Sequence, residues 1–236
     1  MSDNGAIILE NVSLKRAGKP LFRGLSLRLA EHRIGLVGHN GSGKSSLLRL
    51  IHGLIRPDSG TVMTLGLDVA SDARQIPAKV GFLFQNPDHQ ILFPTVGEEI
   101  GFGMQNRGTA PDEVRRRVTA VLQAYGCSGW AKRSVDELSG GQKQLVCLMA
   151  VMVLEPELLL LDEPFASLDF ATRLSFIERM RRLSPRAIMA SHDLDLLQDC
   201  ERIIWLEEGA IRADGTAADI LPAYREDAIR RAEAQP

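Results

Sequence analysis

A short apolar run, Ile34–Val37, leads straight into Gly38-His39-Asn40-Gly41-Ser42-Gly43-Lys44-Ser45, and a helical pattern from Ser46 to His52 follows at once. The middle segment fits G-x-x-x-x-G-K-[ST], and its place between a strand and a helix is the context that a phosphate-binding loop requires. Such a loop demands a buried strand ending where a helix begins, which already points to an α/β sheet with its ligand site at the carboxyl ends of the strands. Glycines let successive backbone N–H groups turn inward around phosphates, and the start of the following helix adds its positive dipole end. The spacing predicts that Lys44 reaches the β- and γ-phosphates of a nucleotide and that the Ser45 hydroxyl ligates Mg²⁺. Gly38, His39, Asn40, Gly41, Ser42, Gly43 and Ser46 complete the candidate ATP-binding set on this loop. The plain alternative is a flexible Gly/Ser turn, which leaves the flanking strand and helix unexplained.

Further apolar, partly β-branched runs occur at Ala6–Val12, Val80–Phe84, Leu158–Leu161, Ala187–Ala190 and Ile203–Leu206, with helical patterns between several of them. This alternation predicts a largely parallel sheet. Arg23–Leu29 and Thr61–Leu65 read as additional strands, antiparallel at an edge. From about Asp88 to Leu138 the pattern changes to a Pro/Gly-punctuated segment and then a helix from Pro111-Asp112 to about Ala124. That stretch reads as a helical insert, and its Arg115-Arg116-Arg117 run as a solvated helix face rather than a binding patch. The tail from Pro222 to Pro236 is charged and helical in pattern.

Two more segments carry chemistry. Leu158-Leu159-Leu160-Leu161-Asp162-Glu163 is a buried strand that finishes in two carboxylates. Asp162 is placed to hold Mg²⁺ through water, and Glu163 to orient and deprotonate an attacking water. The second is Leu138-Ser139-Gly140-Gly141-Gln142, which opens the helical pattern Gln142–Leu154. Ser139 and the Gly140 and Gly141 amides form a second anion-binding device, although Ser139 also suits a simple N-cap role. Background composition produces that pentapeptide by chance in roughly one of several thousand chains, so it discriminates where the P-loop alone does not.

Composition narrows the partners. A net charge of -2 and a pI near 6.2 supply no broad positive field, so nucleic acid is not an expected partner. Cys127, Cys147 and Cys200 are scattered without C-x-x-C spacing and read as reduced packing residues. The longest apolar run, Leu145–Leu154, has ten residues, whereas a bilayer span needs about 20. The start, MSDNGAIILE, lacks the basic and apolar regions of a secretory signal.

On these three motifs the chain resembles the ATPase subunits of ATP-binding-cassette (ABC) transporters over nearly its whole length. The resemblance implies one ABC ATPase domain spanning residues 1–236, with a RecA-like core, an antiparallel β subdomain and a helical subdomain inserted at about 88–153. It implies head-to-tail pairing of two cassettes, a homodimer being expected, so that Ser139, Gly140, Gly141 and Gln142 serve the partner's ATP. Gln85, after the strand Val80–Phe84, resembles the Q-loop glutamine that contacts Mg²⁺ or the attacking water. Ser167-Leu168-Asp169 resembles the D-loop at the dimer interface, and His192 the switch histidine that bonds the γ-phosphate. For their side chains, His32, His39, His52 and His89 have no comparable case and stay unassigned. The family stacks an aromatic on adenine from the loop after the first strand, but Leu14-Lys15-Arg16-Ala17-Gly18 has none. Arg16 can offer its planar guanidinium instead.

The stretch Phe84-Gln85-Asn86-Pro87-Asp88-His89-Gln90-Ile91-Leu92-Phe93, continuing to Gly103, resembles the energy-coupling-factor subclass. In that subclass the ATPase grips a membrane T-component while an S-component binds a vitamin or transition-metal ion. The resemblance places Gln85–Phe93 against the T-component and the chain on the cytoplasmic face of the inner membrane. The modest length after Ile211 is similar to the single-ATPase systems, biotin first and cobalt or nickel second. Soluble cassette ATPases of DNA repair or translation carry a long coiled-coil insertion or a second cassette, neither of which is present, and a non-hydrolysing sensor would lack Glu163 or His192.

Overall fold

The computed structural model describes residues 5–164, 173, 177–178 and 185–233, which fall into two compact units. The first comprises the described residues up to Val80, Leu158–Asp162 and those from Arg186 onward. The second comprises Gly81–Glu157 and the described residues from Glu163 to Pro185.

The first unit opens with β1 (Ile7–Arg16), β2 (Lys19–Leu29), β3 (Arg33–Val37), α1 (Lys44–His52), β4 (Ser59–Thr64) and β5 (Leu67–Asp68). An antiparallel sheet forms in the order β2-β1-β4-β5. Strands β1 and β2 are longer than the runs Ala6–Val12 and Arg23–Leu29 suggest, because Ala17 and Gly18, at φ 48 and 75, close a tight hairpin. Paired positive-φ residues give a turn whose twist matches the flanking strands. Its tip is exposed on every residue from Lys15 to Pro20, so no apolar alternation marks it in the sequence.

After α2 (Ile76–Lys79), β6 (Val80–Leu83) takes the chain from the first unit into the second, where α3 (Val96–Asn106), α4 (Pro111–Ala124) and α5 (Gly140–Met152) follow. The chain returns as β7 (Leu158–Asp162), β8 (Arg186–Ala190), α6 (Leu194–Leu197), β9 (Arg202–Glu207), β10 (Ala210–Gly215) and α7 (Ala217–Glu233). Five strands of the first unit lie in the order β10-β9-β3-β8-β7, with β9, β3, β8 and β7 parallel and β10 antiparallel to β9. Every residue of β7 is buried, as a strand covered on both faces requires, which is why it reads as an unbroken leucine run. The C-terminal helix begins ahead of Pro222: Thr216 accepts from the Asp219 amide and donates to its carboxylate, setting the start at Ala217.

In the second unit three helices share one core, with Val96, Ile100 and Met104 facing Val114, Val118 and Leu122 and Val146, Met149 and Val153. Each set recurs at helical spacing, and each buried aliphatic side chain contributes about 1.5–3 kcal/mol. Helix α3 is not evident in the sequence, where Gly97, Gly101 and Gly103 read as punctuation. These glycines instead allow close packing: a Cβ on Gly97 would lie 2.9 Å from the Ala131 carbonyl oxygen, and one on Gly103 2.8 Å from Leu154. Of the arginine run on α4, Arg115 and Arg116 are exposed, as a solvated face requires, and Arg117 is half-buried. Arg115 and Arg116 pair with Asp112 and Glu113 one turn back, while Arg117 binds the Val153 carbonyl and Glu155. Among the described residues no helix is long and apolar enough to cross a membrane.

Candidate functional site

The loop between β3 and α1 is built to close on itself. Gly38 sits at φ 150, and a Cβ there would fall 2.2 Å from the Leu206 carbonyl oxygen and 2.6 Å from Ser42 Oγ, so only glycine fits. The Lys44 side chain is buried and its Nζ donates to the carbonyls of Gly38, at 2.6 Å, and His39, at 3.3 Å. The Ser42 amide donates to the same His39 carbonyl at 3.1 Å. The main chain thus curls around a buried ammonium, whose positive charge is available to an anion at this loop.

Two groups from the carboxyl ends of β7 and β8 reach this loop and the start of α1. Ser45 Oγ donates to Asp162 Oδ1 at 2.7 Å, and Asp162, the last residue of β7, is only 2% exposed. A hydroxyl and a buried carboxylate are hard oxygen donors, so the pair fits Mg²⁺. His192, two residues past β8, lies with Nε2 3.0 Å from Asn40 Oδ1. Partial burial, then the charge of Lys44 and the nearness of His39, push the His192 pKa below its ordinary value, so the ring is neutral at neutral pH. The Asn40 contact has no signal in the sequence, because 152 residues separate the partners. The His39 ring points away to Asp227, 3.3 Å off. Arg16 ends β1 in an exposed position at the hairpin tip.

The remaining predicted residues belong to the second unit. Glu163 follows Asp162 directly and takes φ 46, a left-handed conformation that a glutamate rarely adopts. Ser139 caps α5 in a reciprocal box, its Oγ accepting from the Gln142 amide while Gln142 Oε1 accepts from the Ser139 amide. The plain N-cap role of Ser139 is therefore present in the structure. Gly140 opens the helix and is exposed, whereas Gly141 is buried. Gln85 is exposed on the segment after β6. That segment is a platform held by side chains: Gln144 Nε2 donates to the Phe84 carbonyl, the Phe84 amide donates to Gln90 Oε1, and Lys143 pairs with Asp88 at 2.7 Å. The buried Glu99 accepts from the Leu92 and Phe93 amides at 2.8 and 3.0 Å. Ile91, Leu92 and Phe93 do not form one apolar surface as their adjacency suggests, because Ile91 packs on the helical core and Phe93 on Phe102. Leu92 alone of the three is exposed, at 71%. The expected D-loop, Ser167-Leu168-Asp169, lies outside the described residues.

Residues 22–166 match the family model for the ABC transporter. The chain belongs to the ABC transporter family. It is 48% identical to the biotin transport ATP-binding protein BioM of Rhodobacter capsulatus over 93% of this chain and 94% of that one. The energy-coupling factor transporter ATP-binding protein EcfA of Methanothermobacter thermautotrophicus is 37% identical over 91% of this chain and 71% of its own. Among solved structures, cbiO1 from Clostridium perfringens, part of the ABC transporter complex cbiONQ, superposes with a TM-score of 0.79 at 26% identity, covering 97% and 94% of the two chains. The α/β ABC cassette expected from the motifs is thus the fold found, and as a member of the family the chain is an ABC ATPase that binds ATP.

Proposed function

We propose that this chain is the ATP-hydrolysing subunit of an energy-coupling-factor importer that brings biotin across the cytoplasmic membrane. The observation that carries the reading is the 48% identity to a biotin transport ATP-binding protein over almost the full length of both chains. In this reading the loop amides and Lys44 hold the nucleotide phosphates, with Ser46 and the first turn of α1 adding the dipole of the helix start. Ser45 and Asp162 hold Mg²⁺, which supplies charge neutralisation at the phosphate oxygens, and Gln85 completes that set. Glu163 accepts the proton of the attacking water. The neutral His192 donates a hydrogen bond to the γ-phosphate. Ser139, Gly140, Gly141, Gln142 and Asp169 act across a pair of cassettes, on the ATP held by the other copy. Arg16 lies against adenine. Catalysis is then positioning and charge stabilisation, without covalent chemistry by the protein.

The platform at 85–93 is the contact for the membrane T-component, with an S-component selecting the cargo. The supporting observation is the exposed Leu92 on a backbone pinned by Glu99. A strain lacking this chain is expected to lose uptake of radiolabelled biotin at low external concentration and to regain it from a plasmid copy. Unchanged biotin uptake would overturn the cargo assignment, and a loss of cobalt or nickel uptake in its place would redirect it to metal ions.

A further inference from the structure

Helix α7 lies outside the residues that match the family model, yet it reaches the phosphate-binding loop. His39 Nε2 is 3.3 Å from Asp227 Oδ2. A carboxylate only accepts, so the imidazole is the donor. Asp227 is 7% exposed, and it is held in place from two other directions: Arg212 binds its Oδ1 at 3.0 Å and Arg231 its Oδ2 at 2.8 Å. Both arginines also pair with Glu207, at the end of β9. Rings complete the brace. Arg212 lies 4.1 Å from the centroid of Trp205, Trp205 meets Tyr224 edge-on at 5.2 Å, and Tyr224 packs on His39 at 5.8 Å.

On the other side of the same residue, the His39 carbonyl takes hydrogen bonds from Lys44 Nζ and the Ser42 amide. One residue thus has its side chain fixed by the C-terminal helix and its main chain inside the cradle. We infer that Asp227 is a positioning residue for ATP binding, acting through His39 to hold the loop backbone in its phosphate-receiving form. This rests on the reading of the loop as the ATP site. Because a preformed cradle spares the ligand the ordering of the loop, losing the brace weakens binding rather than the chemical step.

The test is a double-mutant cycle on the full chain with His39→Ala, Asp227→Ala and the pair, reading ATP KM, kcat and thermal unfolding. Each single variant is expected to raise the ATP KM about tenfold with kcat at saturation little changed, and the double variant to be no worse than either single one. His39→Gln, whose amide can still donate to the carboxylate, is expected to stay within about threefold of the parent. His39 is partly exposed, so its replacement keeps the fold and the experiment informative even where loss of Asp227 lowers Tm. An unchanged KM in His39→Ala, or additive effects in the double variant, overturns the inference while the parent's ATP binding leaves the nucleotide site standing. A parent chain that binds no ATP sinks both.

Discussion

Replacing Glu163 with glutamine is expected to lower phosphate release by about 10²–10⁴-fold while ATP still binds. The carboxylate follows Asp162 at the carboxyl end of a strand whose every residue is buried, and its backbone is held at φ 46. Non-glycine residues in that region carry of order 1–3 kcal/mol of strain and persist where their surroundings enforce them. A glutamine is the same size and keeps the hydrogen-bonding shape, so the variant is expected to fold and to bind ATP. What it loses is the proton acceptor. Single-turnover phosphate release beside an ATP titration separates the two quantities. Turnover within threefold of the parent removes Glu163 from the role of general base.

The second large effect is on binding. Lys44→Ala deletes the buried ammonium that clasps the Gly38 and His39 carbonyls, and with it the positive charge inside the cradle. Truncating one partner of a buried charge pair costs about 2–5 kcal/mol, so the Kd for ATP should rise by roughly 30-fold to well beyond 1000-fold. A fluorescent ATP analogue titrated into parent and variant reads this directly, and a Kd within a factor of three would show that the loop amides alone hold the phosphates.

Much of this site is legible in the sequence because its geometry is local. The span from Ile34 to His52 encodes strand, loop and helix in order, and Leu158–Glu163 encodes a buried strand with its carboxylates at the end. What is not legible comes from long-range packing. Helix α3 is hidden because its glycines are small to admit Ala131 and Leu154, and a residue 30 or 50 positions away leaves no periodicity at the glycine itself. The adjacency of Ile91, Leu92 and Phe93 suggests an apolar face, but a segment pinned to Glu99 and Gln144 points its side chains in different directions. His39 offers no sequence reason for its ring, since the partner that fixes it is 188 residues away. Arg16 sits at a hairpin tip where polar, exposed residues carry no signal of a strand at all.

The two units divide the candidate residues by function. The first holds the Gly38–Lys44 loop proposed to receive phosphate, the Ser45–Asp162 oxygen pair and His192, all tied by hydrogen bonds. In the second, the capped start of α5 and the 84–93 segment are joined through Lys143 and Gln144. A stretch proposed to face ATP and a stretch proposed to face the membrane partner therefore share one short run of helix. That is the arrangement an ATPase needs if nucleotide state is to be read by a partner.

The measurement that bears most directly on this account is to tag the chain in its native host, extract membranes in mild detergent, and identify the co-purifying proteins by mass spectrometry. A polytopic T-component together with a small substrate-binding membrane protein is the predicted recovery, and Leu92→Asp should lose both while its phosphate release persists. Recovery of soluble partners alone, with no membrane protein enriched over an untagged strain, would contradict the transporter reading.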